Sequence, residues 1–278
     1  GNWSVGVPAS VISGLSDGSV TVTASVTDAA GNTGTGTHNV TVDTGLPSVS
    51  FNAISDDNVL NAVEKGQDLR VSGTSANLAE GTVVAVTLNG KNYTATTAAD
   101  GTWSLTVPAP DLAGLGEANY TLSASATNGV GNSVSNTANL LVDTALPTVT
   151  INTVAGDNVI NAAEVAAGQT LSGKVANAEA GNTVTVTIGG NTYTATVQSD
   201  LTWSVNVPET VLTALGNGDL TVSATVTNGH GNTGTGEREI VIDASLPGLR
   251  VDTVAGDDVI NSIEHTQNLI VSGTSDGL

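Results

Sequence analysis

The chain has 278 residues, with 26 Asp and Glu against 6 Lys and Arg, so its formal net charge at pH 7 is −20. Such a surface repels nucleic acid and anionic membranes, which argues against both as partners. The absence of Cys excludes disulfides, thiolate metal sites and cysteine nucleophiles. No apolar run approaches the roughly 18 residues of a membrane span and the N-terminus does not resemble a signal peptide, so no membrane insertion is predicted.

The sequence repeats itself at a fixed step. Trp3, Trp103 and Trp203 stand 100 residues apart, in register with the segments VDTGLP, VDTALP and IDASLP that begin at residues 42, 142 and 242. A unit of this length is a whole domain rather than a solenoid turn of roughly 20–45 residues. The sequence therefore predicts two complete repeats with part of another at each end, divided as 1–42, 43–142, 143–242 and 243–278.

Apolar and polar residues alternate within each repeat, a pattern typical of strands that bury one face. Turn signals such as Asn89-Gly90 and Asp100-Gly101 separate the alternating segments. About seven short strands per repeat indicate an all-β chain of tandem immunoglobulin-like β-sandwich domains that form an elongated rod. In the repeat 43–142 the predicted strands lie at 49–54, 69–73, 83–88, 92–97, 102–107, 120–126 and 138–142.

Two apolar features of each repeat are assigned to its core. Leu112 and Leu115 follow Pro108 at helical spacing, which predicts one short helical turn packed under the sandwich. The tryptophans could instead form sugar-stacking platforms at the surface. Trp103 and Trp203, however, alternate in phase with apolar neighbours, and this phase favours core packing.

Constellations typical of enzymes do not recur. The three histidines, His38, His230 and His265, stand where the other repeats have different residues. The many Ser and Thr residues lie on polar strand faces, with no base at a recurring position. The sequence therefore predicts a protein without enzymatic activity.

Acidic and amide side chains, by contrast, recur by position at three places in each repeat. Ca²⁺ takes roughly 6–8 oxygen ligands, and these loops supply oxygens without competing His or Cys. Solubility alone would place acids in loops but would not fix the spacing between Asp and Glu, so the pattern favours a Ca²⁺ site. The candidate ligands are Asp43, Asp143 and Asp243 in the linkers, Asp56, Asp57, Asp157, Asp257 and Asp258 after the first strand, Glu64, Glu164 and Glu264 beyond them, and Asn128 and Asn228 before the last strand.

Sandwich topology predicts where these groups meet. The first strand runs away from the linker that precedes it, so the loop after this strand lies near the following linker. Asp57 and Glu64 are therefore expected beside Asp143, with Asn228 or a carbonyl of the next domain completing the site. Carboxylates this close repel each other strongly unless a cation lies between them. The same arrangement is expected for Asp157, Glu164 and Asp243.

Four motifs carry a family resemblance: VDTxxP, DDVIN-x-x-E, DGTWS-x-x-VP and the run TVTASVTDAAGN at 21–32. Together they resemble the bacterial Ig-like repeats of giant non-fimbrial adhesins exported by type I secretion, and the resemblance covers the whole chain. It implies many such domains in a rod, Ca²⁺ at the junctions, passage through the type I secretion machinery and a secreted or cell-surface location. It also implies attachment to the host-cell surface, with glycan bound by other parts of the protein. Asn128 and Asn228 stand where the segment 1–42 has Asp28, and Gly156 stands where the repeat 43–142 has Asp56.

Two functions remain open at this point. The first is a spacer, rigidified by Ca²⁺, that extends an adhesive tip toward the host cell. The second is that the repeats themselves bind a glycan or associate with one another. An exposed aromatic patch outside the core phase would favour the second function, and neither Trp103 nor Tyr93 obviously supplies one.

Overall fold

The computed structural model describes residues 1–278, which form two compact units, Gly1–Thr144 and Ala145–Leu278. Strands account for most of the regular secondary structure in each unit, so the all-β prediction is confirmed. The helices are short, and none combines the length and hydropathy that a membrane-spanning helix needs.

The first unit begins with a short helix and a hairpin, namely α1 Ala9–Ile12, β1 Gly18–Thr27 and β2 Thr33–Val42. A β-sandwich follows. Its elements are β3 Ser48–Phe51, β4 Val59–Leu60, a 3-10 helix Glu64–Gly66, β5 Leu69–Ala76, β6 Val83–Leu88, β7 Lys91–Thr96, β8 Thr102–Val107, α2 Ala109–Ala113, β9 Ala118–Thr127 and β10 Ser133–Val142.

The second unit contains an equivalent sandwich followed by three short elements. The sandwich consists of β11 Thr148–Ile151, β12 Val159–Asn161, α3 Ala162–Ala167, β13 Gln169–Ala176, β14 Thr183–Ile188, β15 Asn191–Thr196, β16 Thr202–Val207, α4 Glu209–Leu215, β17 Gly218–Thr227 and β18 Thr233–Asp243. The last elements are β19 Gly248–Val251, a 3-10 helix Glu264–Thr266 and β20 Gly273–Asp276.

Each sandwich packs a three-stranded sheet on a five-stranded sheet. The strand orders are β3-β5-β8 with β4-β10-β9-β6-β7, and β11-β13-β16 with β12-β18-β17-β14-β15. All neighbours are antiparallel except β4 with β10 and β12 with β18, which run parallel. The structure has one more strand per repeat than the alternation predicts. The extra strand β4 is only two residues long, which is too short to show a period.

A separate apolar core fills each sandwich. Trp103 and Trp203 are 3% and 1% exposed, which confirms that they pack in the core. Trp103 meets Phe51 edge to face, with ring centroids 5.4 Å apart. Leu112 and Leu115 are buried beneath the sandwich, so the predicted helical turn after Pro108 is confirmed as α2.

The β1–β2 hairpin presents an uncovered apolar face. Val22 and Val26 are 51% and 73% exposed, whereas Leu122 and Ala126, their counterparts in the next repeat, are buried. Trp3 is 72% exposed for the same reason, since no second sheet packs against this hairpin. The core placement of the other two tryptophans therefore does not extend to Trp3.

Candidate metal site and linker

The loop between β3 and β4 is closed by the side chain of residue 58. Asn58 Oδ1 accepts a hydrogen bond from Ile54 N at 3.0 Å, and Asn58 N donates to Ile54 O at 2.7 Å. Either Asn or Asp provides the acceptor, so Asp258 has a structural role in its loop. The same pair of bonds joins Val154 to Asn158 and Val254 to Asp258.

Asp56 occupies a backbone position that favours glycine. Its φ is 61°, and Gly156 and Gly256 at the equivalent positions have φ values of 92° and 87°. Only Gly, and less readily Asp or Asn, adopts such left-handed angles. The left-handed backbone angle therefore explains why this position holds Asp56 in one repeat and Gly156 in the next. Asp56 lines an open groove that Glu64 also lines.

Asp57 forms a turn that starts the following strand. Its Oδ1 accepts a hydrogen bond from Val59 N at 2.8 Å. Asp157 and Asp257 accept from Val159 N and Val259 N at 2.9 Å and 3.0 Å. Each of these acids therefore commits one carboxylate oxygen to its own loop.

Glu64 belongs to a helix-capping arrangement. Asn61 Oδ1 accepts from Glu64 N, and Glu64 Oε2 accepts from Asn61 N, both at 3.1 Å. Asn161 and Glu164 form the same reciprocal pair as a capping box at the start of α3. Asn261 and Glu264 repeat the pair ahead of the last 3-10 helix. The fixed Asn-to-Glu spacing thus has a cause within the fold, and in the second sandwich it starts α3, a helix that the alternation of strands does not predict.

The linker aspartates lie beside these capping pairs. Asp143 N donates to Leu60 O at 3.2 Å because β4 runs parallel to β10. In the second unit, Asn161 stands opposite Asp243 in the β12–β18 ladder. In the second sandwich the linker Asp and the capping Glu therefore share Asn161, and in the first Asp143 is bonded to Leu60, the residue before Asn61.

Asp57, which is also predicted in this site, comes two residues before β4 and is bonded to Val59 N, and Asp143 follows the end of β10. Across the chain, no group of three or more His, Cys, Asp or Glu side chains is arranged as a metal site.

Asn128 and Asn228 close the turns that precede β10 and β18. Asn128 Oδ1 accepts from Asn132 N at 2.8 Å, and its Nδ2 donates to Gly45 O at 3.4 Å. Asn228 Oδ1 accepts from Asn232 N at 3.0 Å, and its Nδ2 donates to Asn177 O at 3.2 Å. In both turns the side-chain oxygen is used internally, and the amide nitrogen faces neighbouring backbone.

Asp28 closes the equivalent turn in the first segment. Its carboxylate accepts from the side chain of Asn32 at 3.0 Å and from the Asn32 and Ala30 amides at 2.8 Å and 3.0 Å. These hydrogen bonds, led by the Asn32 side chain, hold the pKa of Asp28 below its usual value. The turn therefore accepts either Asp or Asn at this position.

A further set of linker contacts comes from the residue just before β1, β9 and β17. Asp17 Oδ1 accepts from Thr44 N at 2.9 Å and from Thr44 Oγ1 at 2.8 Å. Glu117 accepts from Thr144 N at 3.0 Å and also from Thr144 Oγ1. Asn217 Oδ1 accepts from Ala244 N at 3.0 Å, and its Nδ2 donates to Ser245 Oγ at 2.7 Å. The sequence analysis missed these residues because their type changes, although their position recurs at the 100-residue step.

Comparison with known proteins identifies the type of domain. The model of the family described as bacterial Ig-like domain matches residues 52–144. A solved chain of a 1.5-MDa bacterial ice-binding adhesin is 32% identical, over 84% of this chain and 76% of that one, with a TM-score of 0.49. Residues 52–144 belong to the bacterial Ig-like domain family.

Two other solved chains are also similar. A Ca²⁺-stabilized adhesin, which helps an Antarctic bacterium reach out and bind ice, is 33% identical with a TM-score of 0.51. That comparison covers 93% of this chain but 65% of the other, so this chain spans about two thirds of its length. A tetra-tandem repeat from the extending region of a large adhesion protein is 30% identical over 96% of this chain and 72% of that one, with a TM-score of 0.34. A comparison with curated proteins found no match. These Ig-like domains are homologous to the repeat regions of large adhesins.

Proposed function

We propose that this chain is a non-enzymatic spacer segment of a large adhesin on the bacterial surface, stiffened by Ca²⁺ at its linkers. The spacer carries an adhesive tip toward the host cell, where other parts of the protein bind the surface, including its glycans. The type I secretion machinery exports it. The observation that carries this proposal is that Glu64 accepts a hydrogen bond from Asn61 N while Asp143 N donates to Leu60 O, one residue before, at the end of the sandwich where the linker begins.

The donor chemistry around Asn61 fits a Ca²⁺ ion. Glu64 uses Oε2 for its helix cap, and its second carboxylate oxygen is suited to a cation. Asp143 and Glu64 are both half-buried, so their negative charges are less screened than those of fully exposed acids. Carboxylate oxygens are the ligands that Ca²⁺ prefers.

We assign the ligand role to Glu64 and Asp143, and in the next sandwich to Glu164 and Asp243. Asp43 holds the corresponding linker position ahead of β3. The remaining acids contribute negative potential and keep their turn-forming roles. This second group contains Asp56, Asp57, Asp157, Asp257 and Asp258, and the amides Asn128 and Asn228 share its turn-forming role.

Charge explains why a cation would stiffen the array. Residues 43–142 carry 9 acids and 3 bases, a net charge of −6, and residues 143–242 carry 9 acids and 2 bases, a net charge of −7. Neighbouring domains therefore repel each other, and the linker acids concentrate the repulsion at the joint. A bound Ca²⁺ cancels part of this charge and ties linker to loop.

Calorimetric titration of the full chain with Ca²⁺ after chelation tests the metal site. We expect weak binding, with Kd on the order of 10⁻⁴–10⁻³ M as in other extracellular modules. Small-angle scattering should show a longer and better defined maximum dimension with Ca²⁺ than with chelator. Absence of both heat and a shift in melting temperature at several millimolar Ca²⁺ would remove the metal from the proposal.

Glu64→Gln is the sharpest variant, because Gln preserves the capping box while removing a carboxylate. We expect it to weaken Ca²⁺ binding at this linker about 10-fold without unfolding the domain. Glu80→Gln is the matched control, since Glu80 is exposed and lies in the loop between β5 and β6. Equal affinities for the two variants would exclude Glu64 as a ligand.

The alternative function, glycan binding by the repeats themselves, loses its aromatic platform because Trp103 and Trp203 lie in the cores. Self-association of the repeats stays a separate possibility with a direct test. Sedimentation of the full chain at several concentrations should give one concentration-independent species if the spacer proposal holds.

A further inference from the structure

Two backbone amides of the linker ahead of β3 are bonded to side chains. Thr44 N donates to Asp17 Oδ1 at 2.9 Å. Gly45 N donates to Asp43 Oδ1 at 3.0 Å, which closes a tight turn. Two consecutive N–H groups of an otherwise irregular segment are therefore paired, one of them with the domain segment that precedes the linker.

The carbonyls of the same linker are paired with the domain that follows it. Asn132 Nδ2 donates to Asp43 O at 3.2 Å and to Gly45 O at 3.3 Å. Asn77 Nδ2 donates to Leu46 O at 3.0 Å. The linker is thus bonded on its N–H side to one domain and on its C=O side to the next.

The N–H side of this arrangement recurs at the other two linkers. Glu117 pairs with Thr144 N, and Asn217 pairs with Ala244 N. The three residues at this position differ in charge and length, since two are acids and one is an amide. Their shared property is a side-chain oxygen that accepts the linker N–H. The position therefore selects a hydrogen-bond acceptor and not a charge.

We propose that Asp17, Glu117 and Asn217 form a clasp that orders each linker without a metal ion. A carboxylate that accepts a backbone N–H makes a charge-assisted hydrogen bond. Each of the three residues also shares a hydrogen bond with a linker hydroxyl, namely that of Thr44, Thr144 or Ser245. The clasp holds the first linker residues against the domain that they leave. This role is independent of the proposed Ca²⁺ site.

Amide exchange of the full chain, followed by NMR in excess chelator, tests the clasp at Thr144. We expect the wild-type Thr144 amide to be protected, and Glu117→Ala to exchange about 10-fold faster, as the loss of a hydrogen bond to a charged group requires. Glu117→Gln keeps an acceptor and should stay close to wild type. Glu80→Ala removes an exposed acid elsewhere and should leave Thr144 unchanged.

Core amides in β6 and β9 report whether each variant remains folded. If Glu117→Ala loosens the core as well, Asp17→Ala read at the Thr44 amide provides the second test. Equal exchange in wild type and the Ala variants under chelator would overturn the clasp. So would a Gln variant that exchanges as fast as Ala, because the role would then depend on charge. Both measurements are made in chelator, so their results do not depend on whether the proposed Ca²⁺ site exists.

Discussion

Gly73 stands opposite Trp103 in the β5–β8 ladder, and a Cβ on Gly73 would lie 2.5 Å from Trp103 Cζ2 and 1.7 Å from Ser50 O. Gly173 has the same relation to Trp203, with contacts of 2.8 Å to Trp203 Cζ2 and 1.8 Å to Thr150 O. The indole ring fits in each sandwich because the residue across from it has no side chain.

Gly173→Ala should therefore destabilise its sandwich by overpacking, by about 1–3 kcal/mol or more. Urea unfolding of the full chain, together with exchange of the core amides of β13 and β16, measures the loss. Gly129→Ala is the control, because a Cβ at Gly129 meets nothing within 4 Å. Equal stability of the two variants would contradict this account of the Trp–Gly pair.

The two core tryptophans differ in one polar contact. Trp103 Nε1 donates to Thr74 O at 3.3 Å, whereas Trp203 Nε1 is buried without a partner. Trp103→Phe loses a hydrogen bond, while Trp203→Phe removes an unsatisfied donor. We expect Trp203→Phe to be the milder change, by about 1 kcal/mol, as measured by core-amide exchange in each sandwich. A larger loss at Trp203 would show that its indole nitrogen contributes to stability.

Tyr93 should titrate above the usual range for tyrosine. Its OH donates to Asp111 Oδ2 at 2.8 Å, and Lys91 Nζ lies 2.7 Å from Asp111 Oδ1. Burial first, and then the hydrogen bond and charge of Asp111, raise the pKa of Tyr93 to about 12. The Lys91 hydrogen bond, followed by that from Tyr93, holds the pKa of Asp111 below its usual value.

The sign of the resulting pH dependence follows from the raised pKa of Tyr93. The folded chain holds this proton more tightly than the unfolded chain, so the contribution to stability is complete below the unfolded value of 10.0 and is lost as pH rises through about 12. NMR titration of Asp111→Asn should give a lower Tyr93 pKa that stays above 10.0, because burial is the largest cause. An unchanged pKa would rule out the contribution of Asp111.

Asn228 and Asp28 close equivalent turns, but swapping Asn and Asp should affect stability at Asn228 much more than at Asp28. Asn228 is 8% exposed, and its Nδ2 donates to Asn177 O. A carboxylate there would face a carbonyl oxygen, so Asn228→Asp should cost about 1–3 kcal/mol at neutral pH. The cost should shrink at acid pH as the new carboxyl protonates. Asp28→Asn is the control and should change the free energy of unfolding little. Thermal unfolding of both variants at neutral and acid pH measures the difference.

The sandwich could be predicted from sequence because its strands alternate and its tryptophans share one phase. Strand β4 could not, because its two residues carry no period. Helix α3 was missed because its signal, Asn161 with Glu164, is also a pair of oxygen ligands. Sequence alone does not say which of the two roles such a pair has, and only the reciprocal hydrogen bonds reveal the helix cap.

The linker chemistry is hard to predict for a similar reason. Topology predicts Glu64 and Asp57 beside Asp143, and the parallel pairing of β4 with β10 accounts for the bond from Asp143 N to Leu60 O. The sequence does not show that Asp57 also bonds Val59 N within its own turn. Glu117 escaped notice because conservation of a hydrogen-bond acceptor across Asp, Glu and Asn does not appear as conservation of residue type.

The parallel pairing of β4 with β10 has a mechanical consequence. Leu141 N donates to Asn58 O at 2.9 Å, and Asp143 N donates to Leu60 O at 3.2 Å. Because β4 lies near the start of its domain and β10 ends it, tension applied through the two linkers slides these strands along each other. The bonds are then strained together, in shear, and do not peel open one after another. A domain built this way should resist being pulled apart from its two ends.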